Sequence, residues 1–236
     1  MPKKSFIYDD IKEGYYDDIY NKKKGIRSAW HHAKFDFVKS NINKKNIHLD
    51  IGCGPGTFIS TLNNKKTYGV DISNNQIIFA NKKYGSKSKK FFHYKKKLPF
   101  KKNSLDSISL IELIEHLPLK ETRKILDNCY QCLKKNGEIY LTTPNYLSLW
   151  PILELFVNSI SDLSYQEQHI TKFNKYSIKK IVNKKKFRIN KIETFLLFGP
   201  FLSFFYFNLY KKFSIIDKLL TYIFPGYLIF IKIKKI

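Results

Sequence analysis

His48-Leu49-Asp50-Ile51-Gly52-Cys53-Gly54-Pro55-Gly56 is the stretch that decides the fold. An apolar run ends in three alternating glycines, and a helical pattern begins directly afterwards. Such a strand–turn–helix junction needs glycine because the chain must bend tightly and a ligand must come close to the backbone. A dinucleotide fingerprint would read G-x-G-x-x-G, whereas the spacing here is G-x-G-x-G with an acid, Asp50, in front. An acid beside the turn repels a pyrophosphate and attracts a sulfonium or ammonium cation.

Outward from this junction, apolar segments alternate with amphipathic ones. Strands are expected near residues 47–51, 67–71, 91–94, 106–111 and 138–142, with helices over 56–63, 74–84 and 119–133 between them. Lys135-Asn136-Gly137 reads as a glycine stop to the last of these helices. A helix over 176–185, a strand over 187–194 and the alternation in 226–233 complete the pattern. The expected fold is α/β, a Rossmann-like, seven-stranded, mostly parallel sheet with helices on both faces. Its expected divisions are a helical lid (1–45), the core (46–193), an apolar helical insertion (194–224) and the last core strand (225–236). The connection over 145–168 is long enough to work as a lid or binding loop. Residues 194–210 carry no charge, but Gly199-Pro200 interrupts them and they fall short of a membrane span. They read as part of a pair of apolar helices covering a greasy substrate or lying on a bilayer surface, or else as ordinary core.

The 236 residues suit one domain, and 43% of them are hydrophobic, which excludes a disordered chain. The net charge of +24 is almost wholly lysine, with arginine only at Arg27, Arg123 and Arg188. Recognition of base edges favours arginine, so scattered lysines point to a solvated surface before a nucleic-acid footprint. Anionic lipid would be attracted equally. Cys53, Cys129 and Cys132 cannot form a disulfide framework, and Cys129-Tyr130-Gln131-Cys132 lacks the second pair of a zinc site. Buried thiols are expected there, and no metal. Met1 to Asp10 show no apolar signal core, which points to the cytoplasm.

A second acid closes Gly69-Val70-Asp71-Ile72. A carboxylate at the end of that strand can accept from both ribose hydroxyls, with Ile72 against an adenine face. Alone, Asp71 would equally serve as a helix cap. Further along come Leu98-Pro99-Phe100, then Asn103-Ser104-Leu105-Asp106, then Glu112-Leu113-Ile114-Glu115-His116-Leu117. Asn136-Gly137, with the strand running to Thr143-Pro144-Asn145, closes the series. This ordered set, from about Tyr15 to Phe187, resembles the class I S-adenosylmethionine-dependent methyltransferases, especially the ubiquinone-pathway O-methyltransferase, or type 11, branch. The resemblance implies S-adenosylmethionine as cofactor. It assigns the methionine part to Asp50, Gly52, Cys53, Gly54 and Gly56, the adenosine to Asp71 and Ile72, and the methionyl side to Ile111. Many relatives carry an adenine-binding acid where this chain has Tyr94, which would stack on the base or hydrogen-bond it.

Glu115 and His116 follow the fourth strand, facing the cofactor crevice of such folds, and are candidate bases. Structural capping and packing are the alternative. His169, four residues before Phe173, would orient an acceptor or fix the lid. Tyr15, Trp30 and His31 would close over the cofactor or form aromatic core. The expected activity is methyl transfer, principally O-methylation, to a small-molecule, lipid-linked or glycan acceptor, with a membrane surface as a further partner. The high charge keeps RNA or protein methylation as one alternative, and a non-catalytic membrane-associated binding module is another. Ile111-Glu112-Leu113 stands where nucleic-acid amino methylases carry an Asn/Asp-Pro-Pro-aromatic motif, so nucleic acid is not an expected partner.

Overall fold

In the computed structural model, residues 11–95, 97–160 and 168–236 are described, the side chains of 156–160 excepted. The expectation of no signal core in the first ten residues therefore lies outside the described residues. Among the described residues two helices come first, α1 (Tyr15–Asn21) and α2 (Gly25–Asn41). Then β1 (Ile47–Ile51), α3 (Thr57–Thr61), β2 (Lys66–Asp71), α4 (Asn74–Tyr84) and β3 (Lys89–His93) alternate. The second half has β4 (Leu105–Ile111), α5 (Leu119–Cys132), β5 (Leu133–Pro144), α6 (Trp150–Ile160) and β6 (Phe187–Phe195). Three short helices, α7 (Gly199–Leu202), α8 (Leu209–Lys212) and α9 (Ser214–Leu220), precede β7 (Leu228–Lys235).

The strands form one sheet in the order β3-β2-β1-β4-β5-β7-β6. β1 to β5 run parallel, and β7 is antiparallel to both β5 and β6. Chain order reverses direction across the sheet between β1 and β4, so the carboxyl ends of these strands flank the crevice where such sheets bind ligands. Central parallel strands are covered on both faces and therefore read as apolar runs. One face packs Leu126 and Cys129 of α5 against Leu49, Ile108, Leu110 and Leu141. The other packs Val38 of α2 and Phe58 of α3 against Tyr140, Leu228 and Phe230. Cys53, Cys129 and Cys132 are all buried and free.

Four expectations need correction. Lys135-Asn136-Gly137 does not cap α5, which ends at Cys132. It forms the irregular start of β5, where the register to β4 shifts. Asn136 takes the left-handed backbone (φ 65°), and a Cβ on Gly137 would stand 2.9 Å from Leu133, so crowding explains that glycine. The helix expected over 176–185 is only a 3₁₀ turn, Ser177–Ile181; Asn183 then accepts from the backbone N–H of Lys185 and ends it. The connection after β5 is not a bare loop, because Trp150 starts α6. Residues 194–224 form three short helices, not two apolar ones.

The opening helices are fastened by one buried carboxylate. Asp17 Oδ1 accepts from the Thr57 hydroxyl at 2.8 Å and the Tyr84 hydroxyl at 2.5 Å, while Oδ2 pairs with Lys83 at 2.5 Å. Trp30 is not free to move over a ligand; its ring packs 5.6 Å from Trp150 and 6.0 Å from Tyr227. Tyr15 accepts a hydrogen bond from Arg27 at 2.9 Å, and His31 lies against Tyr16 and Phe35. Asp17→Ala is expected to lower unfolding free energy by about 2–4 kcal/mol through loss of these charge-assisted bonds. Urea denaturation would show an earlier midpoint with unchanged slope.

Candidate active site

Gly52, Gly54 and Gly56 all adopt positive φ (74°, 49° and 78°), which explains the alternation: residues with a side chain avoid this backbone region. Their surroundings differ. A Cβ on Gly52 would stand 2.9 Å from Leu113 and one on Gly56 2.6 Å from Phe91, whereas nothing lies within 4 Å of the Gly54 position. Two glycines are thus demanded by packing and one borders open space.

Asp71 holds this bend in place. Its Oδ2 accepts from Gly54 N–H at 2.7 Å and its Oδ1 from Ser73 N–H at 2.9 Å. The capping role belongs to its neighbour, because the Ser73 hydroxyl accepts from Gln76 N–H at the start of α4. A carboxylate oxygen can accept two hydrogen bonds, so the group that ties the bend is also of the kind that takes ligand hydroxyls. Ile72 is 62% exposed beside it. Past Ile72, whose carbonyl accepts from His93, opens a cleft of about 690 Å³ lined by Asn74, Ile77, Phe92, Lys95, Lys97 and Pro99. A carboxylate beside open backbone, with an apolar, basic-edged cleft on the β3 side, fits an adenosine group.

The side chains of Cys53 and Tyr94, both assigned to the cofactor, pack on the core. The Cys53 side chain sits in a core cluster with Ile59, Ala80 and Phe91, and its N–H is taken by Val70 O. Burial pushes its thiol pKa well up, so it remains protonated. Tyr94 packs on the main core with its hydroxyl hydrogen-bonded to Asn128 of α5. Ile111, half-buried at the end of β4, packs beneath α2.

Asp50 is almost wholly buried at the end of β1. Ser109 donates to it at 2.5 Å. The His48 ring bridges Ser107 (2.8 Å) and Ser109 (2.9 Å), and Asn46 donates to Ser107. Because the Ser109 proton is committed to Asp50, Ser109 must accept from His48 Nε2–H, and His48 Nδ1 must accept from Ser107. Burial lowers the His48 pKa to about 3, so the ring stays neutral and the directional chain persists. Burial raises Asp50 to about 7; the Ser109 hydrogen bond opposes this, and neighbouring Asp71 adds to it.

Sequence reading missed Lys34 and Glu112. Lys34 is buried on α2 and pairs with Glu112, which stands directly after β4 with φ 50°. The lysine charge also acts on Asp50 and Glu115, so one buried cation faces three carboxyl groups. Nothing distinguishes Lys34 among so many lysines, although a non-glycine residue at positive φ is a known mark of functional sites.

The structure does bring Glu115, His116 and His169 together, with ligand atoms all within 4.8 Å of one another. Glu115 Oε2 accepts from Thr143 at 3.1 Å, and Oε1 has no partner among the described residues. Burial, then the nearby Glu112, lifts its pKa well above the usual range. His116 Nδ1 donates to the Gln168 carbonyl at 3.1 Å, and burial lowers its pKa to about 4. The neutral ring therefore carries its lone pair on Nε2. His169 Nδ1 lies 2.5 Å from Glu154 Oε1 of α6 and 3.0 Å from the Tyr146 hydroxyl. Burial alone would raise Glu154, but His169 and Tyr146 together hold it below its usual value. Histidines steered through one ring nitrogen present the other to a substrate proton or a divalent cation. Sequence reading expects no metal here, yet the three groups have a spacing that could hold one.

Comparison with known proteins agrees with this geometry. The methyltransferase-domain family matches residues 26–191, and the chain belongs to it. Its sheet order and strand directions are those of the class I methyltransferase fold. Phosphoethanolamine N-methyltransferase of Plasmodium falciparum is 32% identical over 106 residues, covering 43% of this chain and 40% of that protein. An uncharacterised protein of Methanocaldococcus jannaschii is 28% identical over 197 residues, covering 78% and 63%. The chain thus spans less than two thirds of these relatives' lengths. A methyltransferase structure from Thermotoga maritima shares the fold with a TM-score of 0.65 at 17% identity, covering 94% of each chain.

Asp50 loses its charge as pH falls through about 7. S-adenosylmethionine, a sulfonium, is expected to bind up to roughly tenfold more weakly at about pH 6 than at about pH 8. S-adenosylhomocysteine, with neutral sulfur, should change less, and Ser109→Ala should move the transition to higher pH. Calorimetry with both ligands checks this; equal pH dependence for the two would refute the role of Asp50.

Proposed function

We propose that this chain transfers the methyl group to a hydroxyl on a small-molecule, lipid-linked or glycan acceptor. The observations that carry the reading are the open backbone at Gly54, held by Asp71, and the pairing of His116 with His169, ring centroids 5.1 Å apart beside Glu115. S-adenosylmethionine supplies an electrophilic methyl on a positively charged sulfur. Asp71 would hold the ribose hydroxyls, and Asp50 would balance the sulfonium charge. Methyl transfer is a displacement along one line, so fixing the acceptor supplies much of the rate. His116, held through Nδ1 by the Gln168 carbonyl, has Nε2 as its unprotonated nitrogen and would take the acceptor's proton. His169, fixed by Glu154 and Tyr146, would orient the acceptor.

A second reading is favoured by the unpartnered Glu115 Oε1. Glu115, His116 and His169 would then hold a divalent cation, which would lower the acceptor's pKa directly. Chelation separates the two: full activity after chelator treatment supports the base, and loss restored by magnesium or manganese supports the cation. The plasmodial relative's name gives a phosphorylated amine as its acceptor, which keeps N-methylation within the test.

Labelled donor incubated with cell extract, split into lipid, glycan, RNA and protein fractions, identifies the acceptor; label confined to RNA or protein overturns the proposal. Asp71→Ala is expected to abolish heat of donor binding while circular dichroism stays unchanged. His116→Ala should lower kcat about 10²–10³-fold with donor affinity retained, since a positioned base contributes on that scale.

A further inference from the structure

The segment between β6 and β7 turns a large apolar surface outward. Phe204, Phe205, Ile215, Leu219, Tyr222 and Ile223 are all exposed, with Phe205 and Tyr222 at 81%. Isolated exposed apolar residues are ordinary, but a run of this density on a folded element marks an interaction surface. The segment is framed firmly. Asp217, buried on α9, accepts from the backbone N–H groups of Leu197, Phe198 and Gly199 at 2.9–3.1 Å. Tyr210 donates to Asp36 of α2 at 3.3 Å and packs beside His32. Its inner side closes a small core in which Leu197 and Tyr227 meet Trp150 of α6, flanked by Phe201 and Leu220. On α6, Ile152 and Leu155 are exposed as well, which extends the apolar character beyond the insertion.

Charge decides the occupant. Lys211, Lys212 and Lys218 are exposed on the same segment, while its single acid, Asp217, is consumed inside. A segment with many exposed apolar residues, whose own exposed charges are all lysine, complements a hydrocarbon boundary under anionic headgroups. A second copy of this chain would bring these lysines against lysines. No helix among the described residues is long and apolar enough to cross a membrane, so the contact is with the surface. We propose that residues 198–224 dock the protein on an anionic lipid bilayer, with the aromatic side chains entering the interface and the three lysines meeting headgroups.

Vesicle co-flotation tests this with the full-length chain, using phosphatidylcholine alone against phosphatidylcholine containing phosphatidylglycerol. Flotation is expected with the anionic vesicles, weakened by added salt and by about fivefold for each of Lys211, Lys212 or Lys218 changed to alanine. Phe205→Ser with Tyr222→Ser should abolish flotation while circular dichroism and donor binding stay normal, since both side chains are outside the core. The readout is partitioning, so the result stands apart from the acceptor proposal. Absence of flotation on anionic vesicles overturns the inference. So does equal flotation of these variants, or a concentration-dependent dimer in ultracentrifugation that the double variant disperses.

Discussion

The Asp71 carboxylate, accepting from Gly54 and Ser73, is the constraint on which the rest of the site depends. One side chain joins the end of β2 to the glycine bend after β1 and to the entry of α4. Left-handed glycine backbone is conformationally free in the unfolded chain and needs such a tie to hold a single shape. Two charge-assisted bonds to backbone N–H groups provide it. In the proposed function the same carboxylate would hold the ribose, so the group that organises the bend would also read the ligand.

Around that tie, the site concentrates carboxyl groups in a buried space and manages their repulsion in three ways. Asp50 is lifted to about 7 and receives the Ser109 proton at the end of a directed chain from Asn46 through His48. Glu112 meets a buried lysine brought in by α2. Glu115 is raised by burial and bonds to Thr143. Buried polar networks are stable only when nearly every member is satisfied, so the Glu115 oxygen that has no partner among the described residues stands out beside His116 and His169. Lys34 also couples the opening helices to the chemistry, since α2 is seated by the same aromatic contacts that tie it to Trp150 and Tyr227.

The insertion before β7 follows a different logic. Its inner residues complete a core and its outer ones do not, so apolar content there reflects two demands that composition adds together. Asp217 makes the separation visible: by satisfying three backbone donors it holds the segment folded without needing the outer aromatics for packing.

Much of the fold was legible in order along the chain. Strand and helix periods, the alternating glycines and the acid closing β2 are local signals, because backbone sterics and burial on two faces act within a few residues. The local signals failed where tertiary contact overrode them. Asn136 and Gly137 read as a helix stop but serve an irregular strand start, and the stretch after Tyr176 lost its helix to a turn ended by Asn183. Tyr94 and Cys53 were placed at the cofactor by their position in motifs, and only the packed structure turned them toward α5 and the core. The wire through His48, the buried pairing of Lys34 with Glu112, and the meeting of His116 with His169 join residues about 50 to 80 positions apart. Such proximity is set by sheet order and helix packing, a property of the whole chain that no window of sequence contains.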